Sequence, residues 1–136
     1  MTLPPKPTPH PYGLNAEWYA WCGRGELRFQ RCGSCGRWRH PPRYRCAACG
    51  SAEWSWDPST GQGWVWSWTV THQALHPSYT NDVPYAVMVV ELAEGPRVVA
   101  GLRGLDPSLL ALGMELSVGF EALGEDMALP VFSPRP

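Results

Sequence analysis

The sequence predicts a mainly β chain in two parts, a small metal-held ribbon followed by a five-stranded barrel. Two observations carry this. Cys32 and Cys35, then Cys46 and Cys49, form two Cys-x-x-Cys pairs, each followed at once by a glycine, Gly36 and Gly50. From residue 63 onward the chain shifts to short runs with period-two alternation, separated by Gly, Pro, Asn and Asp.

The doubled knuckle is the more specific signal. Two residues between paired cysteines let one tight turn aim both sulfurs at a common point. A structural zinc takes four tetrahedral ligands, with sulfur at about 2.3 Å. Gly36 and Gly50 are expected at positive φ, so that backbone N–H groups point at the sulfurs. Ten residues separate the pairs, enough for a strand, a turn and a strand. Zinc bound by Cys32, Cys35, Cys46 and Cys49 is the expected cofactor, with iron the alternative for the same four sulfurs. Two disulfides suit a secreted protein, but no secretory leader precedes these cysteines, and the fifth, Cys22, has no mate. A redox Cys-x-x-Cys is normally single and opens a helix. With four thiolates no coordination position stays open, so the metal is expected to be structural.

In order, residues 1–11 are proline-rich and read as an extended arm. Asn15 is placed to cap a helix over 16–22, with Trp18, Tyr19, Trp21 and Cys22 as its apolar side and Gly23 as its stop. Residues 27–31 alternate and lead into the first knuckle. Pro41 and Pro42 exclude a regular central strand on the return arm. Residues 53–57 lead out of the ribbon, and 58–61 form a turn between two units. The expected division is 1–26 for arm and helix, 27–57 for the ribbon and 58–136 for the barrel.

In the barrel part, residues 64–71 alternate, with Trp64, Trp66 and Trp68 expected on one face. Residues 83–92 are apolar on both faces and so expected to be central. Residues 97–102 pair back as a hairpin. Asp106 caps a helical turn reaching Leu112. Leu116, Val118 and Phe120 point inward from the next strand, and 128–132 form the last. Five strands with a helical turn before the fourth suggest an OB-fold, with a five-stranded sandwich as the alternative.

Charge is near balance, at −1 over 136 residues, but unevenly spread. Arg24, Arg28, Arg31, Arg37, Arg39, Arg43 and Arg45 surround the knuckles, with Glu26 the only acid among them. Such a patch suits phosphate or an acidic protein surface, or serves only for solubility. His40 is left out of the metal shell, which the thiolates fill. Cys22 reads as a buried bystander. His72 and His76 flank a polar loop and carry no visible catalytic partner. Phosphate-loop, zinc-protease and nucleophile-elbow motifs are missing, so no catalytic residue is assigned and the chain does not read as a free-standing enzyme. The lack of an apolar leader and of a long apolar run leads to a cytoplasmic expectation.

Several stretches together resemble a known family. These are Glu17, Trp18, Tyr19 and Trp21; Gly25 through the two knuckles, with Pro41, Pro42 and Arg43 between; Gly61 and Gly63; Val83, Pro84 and Tyr85; Glu91 with Gly95, Pro96, Arg97 and Val98; and Gly113 with Leu116. The chain resembles the acyl-CoA-associated OB-fold proteins with an N-terminal rubredoxin-like zinc ribbon, long carried as a domain of unknown function. The resemblance implies an accessory, non-catalytic role beside a thiolase-fold enzyme. Its most specific form is the partner subunit of a thiolase-like, lipid-transfer-protein-type aldolase, a lyase that cleaves steroid side-chain CoA thioesters by a retro-aldol step. It also implies a hetero-oligomer around a partner dimer, in which the ribbon and barrel bridge or gate the acyl-CoA channel. Arg37, Arg39, Arg43 and Arg45 are then candidates for CoA phosphates. Two alternatives stand beside this reading: an accessory domain of a MaoC-like enoyl-CoA hydratase, and a single-stranded nucleic-acid binder built on Trp and Arg. The acidic barrel half speaks against the latter.

Overall fold

The computed structural model describes residues 2–136; Met1, the first residue of the expected arm, lies outside them. Residues 2–11 run without regular structure, and the helix α1 spans Gly13–Gly23. It begins earlier than predicted. Its N-cap is Tyr12, which makes no side-chain capping bond, so Asn15 lies within the helix and is not its cap. Leu14, Trp18 and Cys22 recur every four residues and form the buried stripe.

The helix stop also differs from expectation. Gly25, at φ 76°, takes the left-handed conformation; its N–H bonds the Cys22 carbonyl, and the Glu26 N–H bonds the Trp21 carbonyl. That is a Schellman closure centred on Gly25. Gly23 serves another purpose, because a Cβ there would lie 2.5 Å from the Asp126 carbonyl oxygen. Its missing side chain lets α1 pack against the barrel.

The ribbon sheet has the order β2–β1–β3, with β1 at Arg28–Cys32, β2 at Trp38–Arg39 and β3 at Trp54–Pro58. Both neighbours run antiparallel to β1. β2 stops after two residues, where the two prolines follow.

The other five strands close a barrel in the order β4–β5–β6–β8–β7. They are β4 (Gln62–Thr71), β5 (Tyr85–Leu92), β6 (Arg97–Leu102), β7 (Glu115–Ala122) and β8 (Ala128–Pro134). β7 closes onto β4, and β6 runs parallel to β8 while every other pairing is antiparallel. This is the OB-fold arrangement predicted from the sequence. The helical turn before β7 is short, a 3-10 turn over Pro107–Leu109, capped as expected by Asp106, whose carboxylate accepts from the Ser108 N–H at 2.9 Å. Val65, Met88, Val90, Leu92, Leu116 and Phe132 fill the interior.

The three tryptophans of β4 do not share a face. A bulge between Val65 and Ser67 makes Val65 oppose Val90 and Trp68 oppose Met88. Val90 and Met88 are both buried, so Val65 and Trp68 face inward despite being three residues apart. Trp64 opposes Glu91, and Trp66, in the bulge, is exposed with the Arg97 guanidinium 3.6 Å from its ring centre. β5 is central as expected, lying between β4 and β6. It begins at Tyr85, and its outer face is only partly covered, with Val87 exposed.

α1 joins the two sheets. Trp18 lies 5.0 Å from the His40 ring and Phe29 lies 5.3 Å from it, centre to centre. Trp56 of β3 donates its indole N–H to Glu17 at 3.2 Å. Glu94, in the β5–β6 turn, accepts from the Ser59 and Thr60 hydroxyls and the Thr60 N–H, which fixes the segment between ribbon and barrel. Among the described residues, no helix is long and apolar enough to cross a membrane.

Candidate metal centre and arginine cleft

The two knuckles fold alike. The first-cysteine N–H of each pair bonds the carbonyl five residues on, Cys32 to Arg37 and Cys46 to Ser51, both at 2.9 Å. The glycine N–H bonds back to the first cysteine carbonyl, Gly36 to Cys32 at 3.0 Å and Gly50 to Cys46 at 2.8 Å. Gly36 and Gly50 have φ of 76° and 78°, as the sequence requires. Even the arginine before each pair repeats: Arg31 donates to the Gly36 carbonyl at 3.1 Å, and Arg45 to the Gly50 carbonyl at 3.1 Å. The sequence signal for this is an arginine immediately before each first cysteine; the basic patch and, for Arg45, a CoA-phosphate role are what the sequence suggests, not a bond within the knuckle.

These turns bring the sulfurs of Cys32, Cys35, Cys46 and Cys49 within 4.8 Å of one another. The Cys32–Cys49 and Cys35–Cys46 sulfurs are 3.6 Å apart. Ligands at the corners of a tetrahedron with a zinc–sulfur distance of about 2.3 Å lie ~3.8 Å apart, so the cluster has the dimensions of a zinc site. The N–H groups of Cys35 and Ser34, each 3.4 Å from the Cys32 sulfur, hold that thiol down to about 6. The N–H groups of Cys49 and Ala48 lower Cys46 in the same way. Cys49 is pulled down by the Ser51 N–H, yet the Cys32 sulfur beside it drives it up to about 11. Sulfurs this close repel when charged, and a central divalent cation is what relieves that repulsion. The four cysteines are thus positioned to bind a metal ion, in keeping with structural zinc.

Arg37, Arg39, Arg43 and Arg45 line one cleft of about 190 Å³ beside the second knuckle, with Pro41 and Ala47. Gln30, fully buried, organises it: its side-chain oxygen accepts from Arg39 Nε at 2.9 Å and from the Arg43 N–H at 2.7 Å. A second Arg39 nitrogen bonds the Arg43 carbonyl at 2.8 Å. Nothing in the strand alternation around Gln30 marks it as a buried polar anchor.

The remaining candidates have local roles. Cys22 is 1% exposed, and burial pushes its thiol up to about 12, so it stays protonated. Burial pushes the His40 imidazole down to about 4, leaving it a neutral aromatic between Trp18 and Phe29. His76 Nδ1 accepts from the Ser78 N–H at 3.1 Å and caps the short turn Pro77–Tyr79. His72 sits just past the end of β4.

Comparison with known proteins matches two separate family models to the chain. Residues 22–55 match the family model of the ChsH2 rubredoxin-like zinc ribbon domain, and residues 56–121 that of the ChsH2 C-terminal OB-fold domain. A chain of the solved Ltp2-ChsH2(DUF35) aldolase superposes with a TM-score of 0.85 at 36% identity, over 93% of this chain and 98% of that one. The probable enoyl-CoA hydratase alpha subunit of Thermomonospora curvata is 38% identical over 120 residues, covering 88% of this chain and 37% of the relative. The 3-oxo-4,17-pregnadiene-20-carboxyl-CoA hydratase alpha subunit of Mycobacterium tuberculosis is 40% identical over 89 residues, covering 65% of this chain and 28% of the relative. The chain therefore spans roughly a third of the length of these two relatives. Its ribbon, its barrel and its near-complete superposition on the solved chain place it in the DUF35 family, with a ChsH2-type zinc ribbon joined to an OB-fold.

Proposed function

We propose that this chain is a non-catalytic accessory subunit of an acyl-CoA enzyme, bound to a thiolase-fold partner in a hetero-oligomer and helping to hold or channel the acyl-CoA. The observation that carries this reading is the likeness to the chain of the Ltp2-ChsH2(DUF35) aldolase along nearly its whole length. In its specific form the partner catalyses retro-aldol cleavage of a steroid side-chain CoA thioester. The partner supplies the reacting groups. This chain supplies a rigid wedge of ribbon, helix and barrel, divided at 26/27 and 57/58.

Cys32, Cys35, Cys46 and Cys49 act as the ligands of one structural zinc. Arg37, Arg39, Arg43 and Arg45 are the residues assigned to CoA phosphates. Arg39 is committed to the cleft itself, donating to Gln30 and to the Arg43 carbonyl, so the exposed Arg37 and Arg43 are the better placed to meet a phosphate.

A second reading is favoured by the two hydratase alpha subunits among the relatives. There the same chain would serve a MaoC-like enoyl-CoA hydratase. Co-expression separates the two. The proposal expects a stable complex with a thiolase-fold protein encoded nearby, with aldolase activity only in the complex. A complex formed only with a MaoC-like protein transfers the role to the hydratase. A chain that stays monomeric beside both sinks the accessory reading.

A further inference from the structure

Two arginines of the ribbon are set apart by what they bond. Of the seven that surround the knuckles, Arg31 and Arg45 alone among the described residues donate to a knuckle glycine. Each stands immediately before the first cysteine of its pair and reaches the carbonyl five residues on, Gly36 for Arg31 and Gly50 for Arg45, both at 3.1 Å. Arg24 and Arg28 lie instead over the Trp21 ring, and Arg39 bonds Gln30. The two knuckles share only their cysteines and their glycine at the fifth position, with Gly33 and Ser34 inside one and Ala47 and Ala48 inside the other. The same arginine bond recurs in both all the same.

The bonded carbonyl belongs in each case to the residue after the second cysteine. These second cysteines, Cys35 and Cys49, are exposed, whereas Cys32 and Cys46 are buried. Each arginine thus ties down the peptide that follows the less protected ligand. Arg31 is itself held, its guanidinium 5.3 Å from the Trp38 ring centre and 4.0 Å from an Asp57 carboxylate oxygen. For Arg45, the knuckle carbonyl is the one bond its side chain makes among the described residues. Charge adds to geometry. Four thiolates around a divalent ion leave two surplus negative charges, and two guanidiniums anchored on the ligand turns supply two positive ones. Groups that orient metal ligands from outside the coordination shell tune affinity, and losing one typically costs about 10–100-fold.

We infer that Arg31 and Arg45 are positioning residues of the metal centre: each fixes the turn that carries the exposed cysteine of its pair and offsets one of the surplus negative charges. This rests on the four-cysteine zinc reading above. It divides the basic cluster by task. Arg31 and Arg45 serve the metal, while Arg37 and Arg43 face outward from the cleft. Arg45 commits one guanidinium nitrogen to the knuckle, so a phosphate contact from it falls to the others.

The test is the zinc affinity of the full-length chain, measured by competition with a chromophoric chelator. Arg31→Gln and Arg45→Gln are each expected to weaken zinc binding about tenfold, and the double change about a hundredfold. Arg24→Gln, which removes the same charge from a residue stacked on Trp21, is expected to leave the affinity unchanged. Arg31→Lys and Arg45→Lys keep the charge and a donor, and are expected to recover most of the loss. Raising the salt from about 0.05 M to about 0.5 M should narrow the gap between the natural chain and each Gln variant, because only the natural chain has that attraction to be screened. A merely structural role would show neither the lysine rescue nor the salt dependence. Affinity unchanged in both Gln variants, or lowered equally by Arg24→Gln, overturns the inference. A loss that lysine does not restore and salt does not narrow overturns the charge compensation. A natural chain that holds no zinc sinks the metal reading, whereas zinc held as tightly after both Gln changes sinks this inference alone.

Discussion

The ribbon and the barrel are both β structures, yet they are stabilised by different means. In the barrel, strands of six to ten residues alternate, and Met88, Val90, Leu92, Leu116 and Phe132 are each fully buried. The ribbon has strands of two to five residues, and two of its four clustered cysteines, Cys35 and Cys49, are exposed. Its apolar interior is little more than Phe29, with Leu27 alongside and His40 and Trp18 against it. A unit so small seldom folds on its own core, and metal ligation supplies what burial cannot. The barrel's stability is therefore spread over many contacts, whereas the ribbon's is concentrated at one point.

The largest effect expected from that contrast follows Cys46→Ser. It should abolish zinc binding and remove on the order of 10 kcal/mol from the ribbon alone. Calorimetry should then show the barrel transition surviving without the ribbon. Loss of both together would mean that the two are one cooperative unit. Phe132→Ala attacks the other half. It should cost the barrel about 3–5 kcal/mol in denaturant unfolding while leaving the zinc content unchanged.

Gly23→Ala tests the joint between them. The new methyl would meet the Asp126 carbonyl, and the forced shift of α1 should cost about 1–3 kcal/mol. Faster amide exchange should appear at α1 and at residues 126–127, with the knuckles unaffected. The smallest effect is a pH dependence. His40 has its ordinary value near 6.5 when unfolded and about 4 when folded. Between these the unfolded chain binds the extra proton, so this contribution is intact above about 6.5 and lost as pH falls through 4. At pH 5 it should amount to roughly 1–2 kcal/mol. The measurement is the difference in stability between the natural chain and His40→Gln across pH 4–7, because acid also protonates the knuckle thiolates in both. A difference that does not change with pH would mean that His40 is not held neutral.

The same contrast explains what could be read from the sequence. The metal cluster was legible because ligand type and spacing nearly determine its geometry. The five strands were legible from alternation and turn residues and suggested an OB-fold, but the order in which they close came from the structure. Alternation failed at Trp66, because one inserted residue reverses which side chains face inward, and nothing local announces a bulge. The helix stop was misplaced because two glycines lie close together: Gly25 meets a conformational need and Gly23 a steric one, set by a loop 100 residues away in the chain. Gln30 behind the arginine cleft and Glu94 clamping the Ser59–Thr60 turn depend on contacts between distant segments, which no local pattern encodes.

Amide exchange on purified protein of known zinc content, before and after chelation, bears most directly on this account. It predicts one zinc per chain and, on its removal, loss of protection over residues 28–58 with 62–134 still protected. Absence of metal from the native protein, or a ribbon that stays protected once the metal is gone, would contradict it.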